Sequence, residues 1–128
     1  FAAEHSAKRG VTVLIEPINH YDIPGYLLNT PAQARAIIDA VAHPHLRLQL
    51  DLYHCQIICG NLAQQIHDCL PIIDHMQIAG VPGRHEPNIG EINYSYLFQL
   101  IDKLGYDGWI GCEYRPKAST LGGLSWMR

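Results

Sequence analysis

Four short strand candidates recur along the chain, and each one contains or ends at an oxygen-bearing polar residue. Segments of this length, rich in Val, Ile and Leu, are typical of strands buried in a sheet. The segments with their polar residues are 11–15 with Glu16, 46–50 with Asp51, 75–78 with Gln77, and 109–112 with Glu113. We therefore predict four strands, each presenting one oxygen-bearing side chain at or near its carboxyl end.

A capping box predicts where the first helix between these strands begins. Thr30 is a good N-cap residue, Pro31 suits the first helical position, and Gln33 stands three residues after the cap. Pro44 predicts that the helix has ended before it. Apolar side chains at helical spacing predict the face that packs on the sheet, namely Ala34, Ile37, Ile38 and Val41.

Two further helices are predicted from their end signals. Asn61 with Gln64 repeats the capping pattern, and Pro71 marks the end of that helix. Asn93 is the predicted cap of the next helix, and Gly105 stands where a helix often ends in a left-handed residue. Each predicted helix therefore fills the interval between two predicted strands.

The alternation of strands and helices predicts a parallel sheet with right-handed crossovers. Residues 1–10 are interpreted as the last turns of an earlier helix. A (β/α)₈ barrel of about 250 residues allots about 31 residues to each unit, and the four polar strand ends are about 26 to 36 residues apart. We predict that residues 1–128 form a single partial barrel domain of roughly four βα units. A free-standing, doubly wound four-stranded sheet is the alternative, although no Gly-rich phosphate loop follows its first strand.

The polar strand ends predict a shared site. Parallel strands place their carboxyl ends on one rim, which is where barrel enzymes build their active sites. A single polar residue of this kind would be interpreted as a helix cap or a solvated loop residue. Here all four strands supply one, namely Glu16, Asp51, Gln77 and Glu113. Three converging carboxylates repel one another, and a divalent cation removes that cost. Oxygen ligands of this kind suit Mg²⁺ or Mn²⁺ better than a metal bound by thiolates.

Four motifs give the chain a family resemblance. The segments LIEPINHYDIPGY, LQLDLYH, HMQIAGVPGRHEPNIGEINY and GWIGCEYRP resemble the hydroxypyruvate isomerases of the xylose isomerase-like TIM barrel superfamily. The resemblance spans essentially the whole chain and corresponds to the C-terminal half of that family's usual length. It implies that Glu16 and Glu113 are the catalytic acid and base, and that Glu16, Asp51, Gln77 and Glu113 bind the metal.

The resemblance also implies a reaction. A hydroxypyruvate isomerase interconverts hydroxypyruvate and 2-hydroxy-3-oxopropanoate (tartronate semialdehyde) by moving a proton between neighbouring carbons through an enediolate. Paired carboxylates suit that transfer, and a chelated metal suits the developing oxyanion. The alternatives are a ketose 3-epimerase of the same superfamily and a fragment without catalytic activity. A phosphodiesterase of the endonuclease IV kind would need a His-rich zinc cluster and a basic groove, and the sequence offers neither.

Three further residues are predicted to bind the substrate, a small hydroxy-keto acid. Arg84 lies in the loop after the third strand and can grip a carboxylate with two hydrogen bonds. Resemblance to related isomerases and epimerases implies that His54 donates to a substrate oxygen. His85 either lines the site or holds its loop. A surface Arg and a buried structural His are the plain alternatives for the first two. Trp109 is expected to pack in the core.

Composition narrows the possible partners. The formal net charge is -3, and scattered Lys and Arg residues provide no basic patch for nucleic acid. No apolar run approaches the roughly 18 residues that cross a membrane. The four cysteines have no CxxC spacing, which favours reduced thiols and a cytoplasmic location. We expect the chain to need a missing N-terminal half-barrel or a second copy, and to be poorly soluble or dimeric alone, because both sheet edges would be open.

Overall fold

Four parallel strands form one sheet in the order in which they occur along the chain. The computed structural model describes residues 1–127. The strands are β1 (Val13–Ile15), β2 (Leu46–Asp51), β3 (Ile73–Ile78) and β4 (Trp109–Cys112). The predicted parallel sheet is therefore confirmed, and β1 begins two residues later than predicted. All four carboxyl ends lie on the same edge of the sheet.

Helices connect the strands in the predicted alternation. Within residues 1–127 they are α1 (Ala2–Ala7), α2 (Pro31–Val41), α3 (Leu52–Ile58), α4 (Leu62–Cys69) and α5 (Tyr94–Lys103), with 3₁₀ turns at Leu70–Ile72 and Gly122–Met127. In the described part of the chain, no helix has the length and apolar character that a membrane crossing requires. The element order is that of four consecutive βα units of a barrel.

Helix α2 begins with the predicted capping box. The hydroxyl of Thr30 accepts a hydrogen bond from the backbone amide of Gln33, and the Gln33 side chain accepts one from the backbone amide of Thr30. The predicted packing face is wrong at Ile37 and Val41, which are 39% and 50% exposed. A single ridge of α2, centred on Ala34 and Ile38, packs toward the core, and the flank of the helix faces solvent.

The other helix ends differ in how well the predicted caps match. Asn93 caps α5 as predicted, since its side chain accepts a hydrogen bond from the Tyr96 backbone amide. Asn61 precedes α4 as predicted but makes no side-chain capping bond. Its backbone is left-handed, with φ of 46°, whereas a capping residue is normally extended. Helix α3 was not predicted, because it follows β2 directly and is capped by Asp51.

The two faces of the sheet have opposite character. Leu48, Leu50 and Met76 are buried beneath the helices and belong to the main core. On the other face, strand register aligns Gln49 with His75 and His75 with Trp109. Trp109 is 83% exposed, so its predicted place in the core is wrong. It lies on the face that would line the interior of a closed barrel, and the described residues do not cover that face.

Candidate functional site

The structure places the four predicted metal ligands along one rim of the sheet. Glu16 directly follows β1, Asp51 is the last residue of β2, and Glu113 directly follows β4. Gln77 lies in β3, where strand register pairs it with Asp51 on one side and with Gly111 on the other. Since paired residues of parallel strands point to the same face, the side chains of Asp51 and Gln77 both point toward the barrel interior.

A compact cluster joins the ends of β1 and β2. Glu16, Asp51 and His54 each offer a ligand atom, and these atoms lie within 4.8 Å of one another. His54 Nε2 is 3.6 Å from Asp51 Oδ2 and 4.0 Å from Glu16 Oε1. The short helix α3 produces this arrangement, because it begins directly at the rim. Asp51 accepts the capping hydrogen bond from the Tyr53 amide, which brings His54 back over the strand end.

Asn19 fixes the tautomer of the His54 ring. The Asn19 side-chain carbonyl accepts hydrogen bonds from the backbone amides of Tyr21 and Asp22, so its NH₂ group is turned toward His54. That NH₂ group lies 2.7 Å from His54 Nδ1, and the Asn19 backbone amide also donates to Nδ1. Nδ1 is therefore an acceptor, and the neutral ring carries its proton on Nε2.

This tautomer decides what His54 can do. Burial, with the nearby Arg84 cation, lowers the His54 pKa to about 4, so the ring is neutral at physiological pH. Its Nε2–H points toward the carboxylates of Glu16 and Asp51. A metal would need a free lone pair on that nitrogen, so the geometry favours His54 as a hydrogen-bond donor rather than as a metal ligand.

Gln49 links two of the predicted ligands. Its side-chain NH₂ group donates to Glu16 Oε2 at 2.8 Å and to Gln77 Oε1 at 2.6 Å. The residue lies on the barrel face of β2, between the side chains that follow β1 and those of β3. Both donors of this NH₂ group are used, so Gln49 sets the orientation of Glu16 and Gln77 together.

Arg84 connects the remaining ligand to the cluster. Its Nη2 lies 2.6 Å from Glu113 Oε2 and 3.3 Å from Asp51 Oδ2, while Nη1 lies 3.8 Å from Asp22 Oδ2. The guanidinium also stacks over the Tyr53 ring, 4.7 Å from its centroid. A single cation, about four-fifths buried, is therefore shared by three carboxylates. These contacts place Arg84 beside the predicted site, at the edge of a cavity that Tyr53 and Asp22 also line.

The clustered charges shift two carboxyl pKa values upward. Burial, reinforced by repulsion from Asp51 and Glu113, raises the pKa of Glu16 from 4.5 to about 7. Burial is also the main reason that the pKa of Asp51 rises from 3.8 to about 6. The hydrogen bond from Gln49 and the charge of Arg84 lower the Glu16 pKa without outweighing burial. Near neutral pH the site therefore holds negative charge that a bound cation would stabilise.

The residues fit a divalent metal by their chemistry. Carboxylate and amide oxygens are the ligands that Mg²⁺ and Mn²⁺ prefer. Such oxygens come from four adjacent strands, through Glu16, Asp51, Gln77 and Glu113. The negative charge of the neighbouring Glu16 and Asp51 makes a cation favourable there. No sulfur enters this group, because Cys55 is buried in the core beneath the helices.

The structure places His85 on the loop after β3, next to Arg84. Its ring Nδ1 donates to the backbone carbonyl of Arg115, which follows β4, at 2.8 Å. This hydrogen bond ties two rim loops together. Its predicted contact with substrate stays a prediction, and the observed bond gives His85 a role in holding its loop.

Sequence reasoning missed Gln49, Asn19, Asp22 and Tyr53. Gln49 carries a usable signal, since it is two residues before Asp51 in the same strand and therefore shares its face. Asn19 is completely buried, and nothing in its sequence context distinguishes it from a turn residue. Asp22 and Tyr53 contact Arg84 only through long-range folding.

Curated relatives of this chain carry isomerase names. The 2-oxo-tetronate isomerase of Cupriavidus necator is 56% identical over the whole chain, which covers 49% of that protein. The hydroxypyruvate isomerase of Escherichia coli is 46% identical over 99% of this chain, which again covers 49% of the relative. The chain therefore spans about half the length of the curated relatives it matches.

A solved structure and a family model match the same region. A crystal structure described as an AP endonuclease, family 2, from Brucella melitensis superimposes with a TM-score of 0.96 at 45% identity, over 98% of this chain and 49% of that one. These coverages agree with a half barrel. The model of the xylose isomerase-like TIM barrel family matches residues 1–128. The chain belongs to the xylose isomerase-like TIM barrel family.

Proposed function

We propose that this chain forms the metal-binding half of an isomerase that acts on a small hydroxy-keto acid. The observation that carries the proposal is the set of four oxygen-bearing side chains, Glu16, Asp51, Gln77 and Glu113, at the ends of four adjacent strands. The isomerase names of the curated relatives support it. A cytoplasmic location is part of the same proposal.

The four strand-end residues would bind a divalent cation, with Mg²⁺ or Mn²⁺ suited to their oxygen atoms. When bound, such a cation supplies charge stabilisation for an oxyanion that develops on the substrate. Arg84 now neutralises part of the charge on Asp51 and Glu113. Ligation would compete with these ion pairs and free the guanidinium for another anion.

Glu16 and Glu113 would move the proton. One carboxylate removes a proton from the carbon that bears the hydroxyl group, leaving an enediolate. The other carboxyl group donates a proton to the neighbouring carbonyl carbon, and the hydroxyl proton shifts between the two oxygens, so the atoms balance. Glu16 follows β1 and Glu113 follows β4, so the two groups approach the site from opposite ends of the rim, as an acid and base pair requires.

Arg84 and His54 would position the substrate. Arg84 can bind the substrate carboxylate with two parallel hydrogen bonds, and its contacts with Asp22 and Tyr53 hold it at the rim. The Nε2–H of His54 would donate to the substrate carbonyl or hydroxyl oxygen. His85 completes the predicted substrate group, with its side chain on the same loop as Arg84.

Hydroxypyruvate and 2-oxo-tetronate are the substrates to compare. Both have a keto group next to the carboxylate and a hydroxyl on the following carbon, so the same proton transfer applies. They differ in length by one hydroxymethylene group. A ketose 3-epimerase would use similar chemistry on a sugar without a carboxylate, and Arg84 favours an anionic substrate over such a sugar.

The test uses a barrel chimera in which residues 1–128 replace the matching half of the Cupriavidus necator relative. Turnover of hydroxypyruvate and of 2-oxo-tetronate is measured before and after EDTA treatment, and again after Mg²⁺ or Mn²⁺ is restored. Glu16→Gln and Glu113→Gln should each lower kcat by at least about a hundredfold. Glu4→Gln, at an exposed site on α1, is the matched control.

Two results would overturn the proposal. Full turnover after EDTA treatment would show that the reaction does not need a metal. Rapid turnover of a free ketohexose, with neither hydroxy-keto acid consumed, would replace the isomerase with an epimerase. Circular dichroism of each variant establishes that lost activity does not come from lost fold.

A further inference from the structure

Three consecutive loop residues bind the segment that follows β4. The Arg84 carbonyl accepts a hydrogen bond from the Arg115 backbone amide at 2.7 Å. The His85 ring donates to the Arg115 carbonyl at 2.8 Å. The Glu86 carboxylate accepts from the Lys117 backbone amide, at 3.0 Å through Oε1 and 3.2 Å through Oε2. We name this set of four bonds the loop clamp.

Glu86 is the unusual member of the loop clamp. The residue is only 7% exposed, and a buried carboxylate normally requires a strong partner. Among the described residues, its hydrogen-bond donor is the Lys117 backbone amide of the segment after β4. The same segment passes close to the Glu86 carboxylate again at Gly123, where an added Cβ atom would lie 2.8 Å from Glu86 Oε1. Any larger residue at position 123 would therefore push against the carboxylate.

The returning segment is anchored at its far end as well. The Tyr114 hydroxyl donates to the Gly123 carbonyl at 2.7 Å, and the Trp126 indole N–H donates to the Tyr114 hydroxyl. Trp126 also stacks on Phe98 of α5, with ring centroids 6.5 Å apart. The segment from Tyr114 to Trp126 thus runs from the end of β4 past Glu86 to the outer helix.

Arg84 requires such support. Its φ is +53°, a left-handed conformation that a residue other than glycine adopts at a cost. Its guanidinium lies between carboxylates of three different elements, so a small backbone rotation would move the cation out of the site. The loop clamp fixes the backbone that directly follows the Arg84 side chain, at the Arg84 carbonyl and at Glu86.

We propose that Glu86 is a positioning residue that holds Arg84 in its left-handed conformation so that the guanidinium faces the substrate carboxylate. Within residues 1–127 the Glu86 carboxylate forms no hydrogen bond with a predicted metal ligand; it acts through the segment after β4. This inference rests on the proposed function, since it assumes that Arg84 binds an anionic substrate. It adds a residue from outside the rim to the determinants of substrate binding.

The experiment compares Glu86→Ala and Glu86→Gln in the barrel chimera. The amide oxygen of Gln can still accept from Lys117, so Glu86→Gln should recover most of the binding lost in Glu86→Ala. For Glu86→Ala we expect KM to rise by about tenfold, the effect of losing one hydrogen bond to a charged group, with kcat nearly unchanged. Asp74→Ala, at an exposed site near the opposite end of β3, is the control.

A double-mutant cycle separates positioning from general loss of stability. In an Arg84→Ala background, adding Glu86→Ala should raise KM by less than about twofold, because the guanidinium to be positioned is already absent. A full additional tenfold rise would overturn the proposal. So would a Glu86→Ala variant that lowers kcat and leaves KM unchanged.

Amide hydrogen exchange provides a readout that does not need activity. Removing the Glu86 carboxylate deprives the Lys117 amide of its acceptor directly. If Glu86 holds the Arg84 backbone, protection of the Arg115 amide should fall as well, because its acceptor is the Arg84 carbonyl. Unchanged protection at Arg115 would overturn the proposal. If the chimera turns over neither substrate, the proposed function is wrong, and this exchange measurement still decides the role of Glu86.

Discussion

Replacing Asp51 with Asn should stabilise the metal-free protein at neutral pH. The Asp51 side chain is 1% exposed and lies in the cluster with Glu16. One of its oxygens accepts from the Tyr53 amide, and the other faces Arg84 at 3.3 Å. Asn is nearly the same size and can keep the capping hydrogen bond through its carbonyl oxygen. The substitution therefore removes a buried charge with little change in packing.

The pKa of Asp51 sets the size and direction of this effect. Burial raises it from 3.8 to about 6, so between these pH values the folded state binds more protons than the unfolded state. The free energy of unfolding then falls as pH rises through that interval. At about 1.4 kcal/mol for each pH unit, the loss reaches at most about 3 kcal/mol above pH 6. Asp51→Asn should recover up to that amount.

Thermal unfolding of the metal-free barrel chimera measures the gain. For a complete barrel of about 250 residues, a gain of about 3 kcal/mol corresponds to a rise in Tm of roughly 6 to 12 °C. The difference between Asp51→Asn and the parent should be largest above pH 6 and should shrink toward zero at pH 4. Asp102→Asn, at an exposed position on α5, controls for the change in net charge.

Adding Mn²⁺ should reverse the order of stability. A metal that binds only the folded state stabilises it by about 4.1 kcal/mol at a thousand times its Kd. That gain exceeds the advantage of at most about 3 kcal/mol that Asp51→Asn has without metal, and the substitution removes a charged ligand. The parent should therefore gain more than the variant. An Asp51→Asn variant less stable than the metal-free parent at pH 8, or with the same advantage at pH 4 and at pH 8, would refute the proposed cost of the buried charge.

Three further predictions follow from single contacts. Thr30→Ala should cost about 1 kcal/mol of stability through loss of the capping box, and Thr30→Ser should restore it, as measured by chemical denaturation of the chimera. Gln49→Met removes the donors to Glu16 and Gln77 and should weaken Mn²⁺ binding by about 10 to 100-fold, as measured by calorimetry. His54 should show no ring titration between pH 5 and 8 in nuclear magnetic resonance spectra of the metal-free protein, because burial and the nearby Arg84 lower its pKa to about 4; a midpoint near 6.5 would contradict that lowered pKa.

The strands and the rim could be predicted because their signals are local. In residues 46–50, leucines alternate with Arg47 and Gln49, so the segment stands out by its period of two, with one apolar face toward the helices. The position of Asp51 at the carboxyl end then follows from chain direction alone. The missed helix α3 shows where this fails, because Asp51 both ends a strand and caps a helix, and sequence patterns assign a residue one role at a time.

The contacts within the site could not be predicted, because they join residues that are far apart in sequence. Asn19 and His54 are 35 positions apart, as are Gln56 and Glu91, and nothing local marks either pair. Burial was also misjudged where it depends on other elements. Trp109 has the composition of a core residue, but its exposure of 83% follows from its alignment with His75 on the barrel face.

The division between the two faces of the sheet explains how a destabilised site can persist. The helix-facing side buries large aliphatic side chains such as Leu48 and Met76 without any exposure, and each contributes about 1.5 to 3 kcal/mol. The barrel face carries the carboxylates whose pKa values are raised. Because strand residues alternate between faces, a change of one position in strand register would exchange these roles completely. The apolar face therefore offsets the cost of the charged site and also fixes which side chains can reach it.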